Sequence, residues 1–159
     1  MINKITMKSK DAIQASLAEC YVTISGERYN FMQALSIDAK VEKVKKEVPI
    51  LGQSMKGNKA VGMKGSGSAT FHFNTSVFRQ VMQHYKDTGE DLYFDMQITN
   101  EDPTSAAGRQ TVILIDCNID SLVLTKFDAD GDFLEEDFDF TFDDWSMPEE
   151  FNVLNGMRA

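Results

Sequence analysis

The chain has 159 residues, about one domain's worth, enough to bury roughly two thirds of the surface its unfolded form exposes. With 42% hydrophobic and 26% charged residues, its composition is that of an ordinary globular protein and excludes a disordered or fibrous one. A formal net charge of −9 argues against a tight grip on DNA or RNA, which requires clustered Lys and Arg.

Charge is unevenly placed. Lys40 to Lys64 carries seven of the sixteen basic residues, whereas Asp128 to Glu150 holds eleven acidic residues and no basic one. No stretch approaches the roughly 20 apolar residues that span a bilayer, and the N-terminal segment lacks the apolar core of a signal peptide. The expectation is a chain made and kept in the cytoplasm until lysis, without stable membrane binding. Cys20 and Cys117 lie far apart inside apolar runs and read as buried free thiols.

In chain order, CYVTI-SG-ERYNF predicts a hairpin, because Ser25-Gly26 can supply the positive φ of a two-residue turn. From Leu35 the pattern alternates: Leu35, Ile37, Ala39 and Val41 on one face, Ser36, Asp38, Lys40 and Glu42 on the other, predicting a half-buried strand. Residues 44–68 carry several glycines and lysines without a sustained period. They read as a long extended loop of the kind that serves as a lid or docking arm.

ATFHF predicts a strand that leads into a helix on which Val77, Phe78, Val81, Met82 and Tyr85 share helical spacing. Asn74, Thr75 or Ser76 can cap its start, and Gly89 suits its end. LYFDMQI, TVILIDC and IDSLVLTKF follow as strands, TVILIDC being apolar on both faces as a covered central strand would be. A last strand, FLEEDFDFTF, sets Leu134, Phe138, Phe140 and Phe142 against Glu135, Asp137, Asp139 and Thr141.

The fold class expected is therefore mainly β with one α-helix: an antiparallel sandwich or partly open barrel flanked by the helix. No proline falls inside a predicted strand, which is consistent with edges meant to pair between subunits.

No catalytic or cofactor constellation emerges. DADGDFLEEDFD has aspartates at 128, 130 and 132, but an EF-hand needs glycine at its sixth position and glutamate at its twelfth, where Phe133 and Asp139 stand. It reads instead as a turn at Asp130-Gly131. GMKGSGSATF lacks the phosphate-loop pattern and leads into a strand, so it reads as flexible loop. The two histidines, His72 and His84, have no cysteine or carboxylate at ligand spacing, and no nucleophile elbow is present. Trp145 reads as a packing or interface residue.

The hairpin CYVTISGERYNF, the stretch VEKVKKEVPILGQSMKGNK, the segment GSGSATFHF, the helix TSVFRQVMQHYKDTG and the late LEEDFDFTFDDWSMPEEF together resemble the tail tube proteins of PBSX-like defective prophages, contractile-tailed phages and phage-tail bacteriocins. The likeness runs from about Cys20 to Phe151. It implies a tail-tube-like β-domain over 20–151, with an N-terminal arm (1–19) and a C-terminal tail (152–159) outside it. It further implies a non-enzymatic subunit without cofactors, in stacked hexameric rings around a channel. Implied partners are other copies of the chain, a sheath protein, a tape-measure protein, and baseplate and tail terminator proteins, with DNA only as transiting cargo.

Within that reading, the inter-ring residues expected in the segment 44–68 are Lys45, Lys46, Pro49, Leu51, Met55, Lys56, Lys59, Met63 and Lys64. Asp130, Asp132, Glu135, Asp137 and Asp139 are expected to face the lumen or to complement those lysines. The tube of a non-contractile tail or of a type VI secretion system is a rival within the class, and a monomeric ligand-binding β-barrel is a rival outside it.

Overall fold

A computed structural model describes residues 5–158, so the first four residues of the expected N-terminal arm and the final residue of the expected tail lie outside the described residues. A short 3-10 turn, Ser9–Asp11, precedes β1 (Ala18–Ile24), β2 (Glu27–Asn30), β3 (Ala34–Val48), β4 (Gly57–His72), α1 (Val77–Thr88), β5 (Phe94–Glu101), β6 (Arg109–Leu122), β7 (Glu135–Phe142) and β8 (Asp144–Glu149). β1–β2, β1–β5, β3–β4, β4–β7 and β6–β7 all pair antiparallel. The fold is mostly antiparallel β with one helix, as the patterning predicts.

Two compact units share the chain, with β6 running from one into the other at Ile115 and Asp116. The first comprises the chain up to Met32, Phe94–Ile115 and the chain from Trp145 onward. Its strands run β2-β1-β5-β6, and β8 also pairs β6. The β1–β2 turn is the one expected, with Ser25 at φ 51° and Gly26 at φ 82°.

Period-two alternation places Cys20, Val22 and Ile24 on the buried side of β1, opposite Ile98, Met96 and Phe94 of β5. Burial pushes the Cys20 thiol up to about 12, so it packs as a small apolar group. The buried Thr99 and Thr111 hydroxyls lie 3.1 Å apart, and Thr111 donates onward to Glu149 of β8 at 3.3 Å. Asp102 accepts the Thr104 N–H at 2.9 Å and the Gln14 N–H at 3.0 Å, fastening the N-terminal segment to the β5–β6 turn. These two N–H donors, Thr104 first, hold its carboxyl below the ordinary range.

The second unit, Gln33–Tyr93 with Asp116–Asp144, orders its strands β6-β7-β4-β3. Phe138, Phe140 and Phe142 face its core, each under 10% exposed, as the alternation predicts. On that face Phe140 stands opposite Gly67 and Phe142 opposite Gly65. A Cβ built on Gly65 would lie 2.4 Å from the Phe142 ring, and one on Gly67 2.5 Å from the Phe140 ring and 2.7 Å from the Asp38 carbonyl oxygen. The GSGS stretch is thus a strand whose glycines lie under phenyl rings, not the flexible loop its composition suggests.

Helix α1 packs Phe78 against Phe138 at 4.5 Å between centroids, and Phe138 stacks on Phe71 at 5.3 Å. The Thr75 hydroxyl accepts the Val77 N–H at 3.4 Å, while Ser76, the residue before the helix, makes no side-chain cap. Gly89 ends the helix at φ 75°, its N–H on the Tyr85 carbonyl at 2.9 Å. Arg79 pairs with the buried Glu136 of β7, donates to the Thr75 and Val123 carbonyls, and covers the Phe73 ring at 4.4 Å.

The structure departs from the predicted elements in several places. Residues 44–68 are not a loop: all but eight, Pro49 to Lys56, belong to β3 and β4. TVILIDC and the start of IDSLVLTKF form the single strand β6, in which Asp116 at φ 55° shifts the side-chain alternation. DWSMPE forms β8, which contains Pro148 and, among the described residues, pairs with β6 off the main strand order, a position where a missing N–H is tolerated.

Two outcomes follow. Gly67→Val should destabilise the chain by about 1–3 kcal/mol in denaturant titration, because the Asp38 backbone cannot yield, whereas Gly62→Ala, with nothing within 4 Å of its Cβ position, should be near neutral. Because the folded pKa of Asp102 lies below its ordinary 3.8, its stabilisation is present above that value and lost as pH falls through the folded pKa. Asp102→Asn should therefore lower the Tm at pH 7, and the gap from the parent should narrow in melts carried out at progressively lower pH below 3.8.

Candidate assembly surfaces

β7 stops pairing with β4 at Gly65, which is also opposite Val41 of β3. Beyond that row residues 42–64 continue as a two-stranded ribbon. Every residue from Asp38 to Lys56 and from Asn58 to Lys64 is exposed. The strand segment from Val41 to Val48 overhangs β7 by ~23 Å at a rise of ~3.3 Å per residue. Its tip is a turn closed by the Gln53 N–H on the Ile50 carbonyl at 3.1 Å, with Gly52 at φ 82°.

All nine expected inter-ring residues, Lys45, Lys46, Pro49, Leu51, Met55, Lys56, Lys59, Met63 and Lys64, lie on this ribbon. Leu51 is fully exposed and Met55 82% exposed. Seven lysines against Glu42 and Glu47 leave residues 40–64 at net +5. Glu42 sits 3.2 Å from Lys40 and 3.7 Å from Lys64, and the Lys40 hydrogen bond, then the two charges, hold its carboxyl below the ordinary range. Lys56 lies 3.8 Å from Glu47. Lys46 stands directly opposite Lys59, a like-charge cross-strand pair that disfavours the ribbon on its own.

The expected acidic set is divided. Glu135, Asp137 and Asp139 occupy the exposed face of β7, opposite the phenylalanines, in register with His72, Thr70 and Ser68 of β4. Thr70 donates to Asp137 at 2.7 Å and Ser121 to Asp139 at 3.3 Å. Asn118 and Thr141, Ser66 and Lys40, then Asp38 and Ser36 extend the rows across the sheet. Apart from Lys40, His72 and Asn118, this face is a wall of short hydroxyls and carboxylates.

Asp130 and Asp132 are elsewhere, in the β6–β7 connection of residues 123–134. The turn there falls at Ala129-Asp130, one residue before the expected position, with the Asp130 N–H on the Asp128 carboxylate at 3.2 Å. Leu124, Phe127 and Phe133 of this connection are 70%, 89% and 83% exposed. The sequence pattern assigns Phe127 and Phe133 to strands, but β6 ends at Leu122 and β7 begins at Glu135.

Among the described residues no three His, Cys, Asp or Glu side chains gather to hold a metal ion. His84 lies 3.4 Å from Glu90 on the exposed end of the helix, and His72 faces Glu135 across strands. Among the described residues no helix is long and apolar enough to cross a membrane. Among the described residues, β2 and β3 stand at the two ends of the strand order, and β8 lies off that order against β6. Trp145 and Met147 of β8 are 37% and 40% exposed.

Residues 5–149 match the family described as phage tail tube protein. The chain is similar to the phage-like element PBSX protein XkdM of Bacillus subtilis strain 168, with 41% identity over 117 residues, 74% of this chain and 80% of that one. In fold it is similar to a chain of the anti-feeding prophage baseplate, solved with 6-fold symmetry, at TM-score 0.65 and 11% identity, covering 89% of this chain and 97% of that one. It is likewise similar to a chain of the sheath-tube complex of the PVC extracellular contractile injection system, at TM-score 0.59 and 13% identity, covering 87% and 93%.

A ribbon paired only to itself opens locally at low cost. Amide hydrogens of residues 42–64 should exchange far faster than those of β7 in the dilute chain, and slow by about tenfold or more once chains associate. Equal exchange in the two states would show that the ribbon stays uncovered.

Proposed function

The chain belongs to the phage tail tube protein family, and on that premise we propose that it builds the inner tube of a contractile phage tail or phage-tail-like particle. It does so as stacked rings of six. The observation that carries this reading is the ribbon of residues 42–64, a long, exposed hairpin with free strand edges and net positive charge, marginal alone and suited to cover a neighbour. A contact in which one part of a copy meets a different part of the next does not close on itself and propagates as a filament.

Edge strands β2, β8 and β3 supply lateral pairing for ring closure. The hydroxyl and carboxylate wall bearing Glu135, Asp137 and Asp139 faces the channel. DNA passing as cargo meets short side chains and like charge, repelled weakly within a Debye length of ~8–10 Å and never held. In a bacteriocin-like particle the same bore serves envelope puncture.

The baseplate, sheath/tube terminator and sheath-tube assemblies of the structurally similar chains support a sheath outside the tube and a baseplate and terminator at its ends. A tape-measure protein inside the tube during assembly completes the proposal. The role is structural, without catalysis or cofactor. Assembly takes place in the bacterial cytoplasm before particle release, without stable membrane binding by the subunit.

Purified chain viewed by negative-stain microscopy should form discs and then tubes of uniform bore as concentration rises. Deleting Val48 to Lys64 should leave a folded chain that stops before the tube. Tubes of normal length from the deleted chain would remove the ribbon from the mechanism.

A further inference from the structure

The register within the second unit places two chemically opposite features at opposite ends of one sheet. β4 meets β7 from Gly65 opposite Phe142 to His72 opposite Glu135. The ribbon leaves from the Phe142 end. β6 approaches β7 from Asn118 opposite Thr141 to Leu122 opposite Phe138, so the 123–134 connection lies at the Glu135 end.

One end thus carries apolar Leu51 and Met55 among Lys45, Lys46, Lys56 and Lys59. The other carries apolar Phe127 and Phe133 among Asp128, Asp130 and Asp132. The connection is pinned at both ends: Arg79 donates to the Val123 carbonyl at 3.3 Å, Lys126 to the Glu135 carbonyl at 2.9 Å, and the Phe73 N–H to the Leu134 carbonyl at 3.0 Å. Because Lys126 is held against that backbone, no other cation within the connection faces its three aspartates.

We infer that the Phe127–Phe133 loop is the socket for the ribbon tip of a second copy in the next ring. Rings then stack by an apolar contact rimmed with lysine–aspartate pairs, and every ring presents a plug at one end and a socket at the other. The inference rests on the tube reading and adds the receiving surface and the polarity of the stack. Apolar residues at the centre of a contact carry its strength, and rimming charges fix register and reject wrong docking. A second copy fits because the charges and apolar groups of its tip complement the loop, and because the overhang of ~23 Å matches the ~23 Å from end to end of the eight-residue β7.

The test compares full-length chains by negative-stain microscopy, with circular dichroism to establish the fold of each. The socket variant carries Asp128→Lys, Asp130→Lys and Asp132→Lys; the plug variant carries Lys45→Glu, Lys46→Glu and Lys59→Glu; a third chain carries all six. Parent chain forms tubes, each single set stops at discs, with tubes shortened about tenfold or more, and the six-fold exchange restores length to within about threefold. Normal tubes from the socket variant, or no recovery in the combined chain, overturn the socket. Parent chain that forms no tubes at any concentration overturns the tube reading itself, before any variant is compared.

A cross-link tests the contact without charge reversal. Leu51→Cys with Phe127→Cys should give a ladder of disulfide-linked multimers on oxidation of assembled tubes, whereas monomer alone under those conditions rejects the contact.

Discussion

The close approach of β4 to the phenylalanine ladder of β7 decides what the rest of the second unit can be. Gly65 and Gly67 have no side chains because Phe142 and Phe140 lie over them, and that arrangement fills the core face of a strand that would otherwise be under-packed. With the rings on one side, the alternating serines, threonine and carboxylates are forced to the other. One row of glycines thereby sets both a packed face and a smooth polar one. It also sets the ribbon's root, since β7 ends where the last glycine is covered.

Beyond that root the chain keeps strand geometry without a core. Val41, Val44, Val61 and Met63 remain between 38% and 61% exposed, apolar surface that a finished globular domain would cover. Lys46 opposite Lys59 adds repulsion, and only Glu42 and Glu47 offset the lysines. An element so composed is kept in the fold for what it meets outside the chain. Two-stranded ribbons gain stability when a third strand or a packed surface joins them, so burial of this one in an assembly couples its ordering to association.

Much of the fold was legible in residues. Ser25-Gly26 announced its turn, Gly89 its helix end, and Phe138, Phe140 and Phe142 their buried face, because each signal is local and obeys one period. The ribbon was not legible. Strand alternation was visible from Leu35 to Glu42, but the face expected to be half-buried stays largely exposed there. From Lys43 to Lys56 neither face is buried, and no clean alternation marks the strand. The glycines of residues 44–68, read as loop punctuation, include two, Gly65 and Gly67, whose reason is a ring more than 70 positions away in sequence. Nor could spacing reveal that Arg79 pairs with Glu136, 57 residues apart, or that Asp116 would bend the alternation of β6. The nine expected inter-ring residues nevertheless fall on one element, whereas the five expected acids fall on two.

That division of the acids is the more instructive result. Between Asp128 and Asp139 the chain has seven carboxylates, and composition alone treats them as one patch. Backbone geometry separates them into three environments. Before β7 begins, Asp128, Asp130 and Asp132 surround a turn between exposed phenylalanines. Within β7, alternation sends Glu135, Asp137 and Asp139 to the polar face and Glu136 to the opposite one, beside Arg79. Removing Glu136 would leave a guanidinium largely enclosed without its partner, a loss of about 3–5 kcal/mol by analogy with other broken buried pairs, whereas the exposed acids stand in water and add little to folding. Arg79 also holds the Val123 carbonyl at the start of the 123–134 connection. The buried acid therefore fixes the base from which the loop acids project, and a single charge run serves as core anchor, polar wall and rim because a strand turns successive residues to opposite sides.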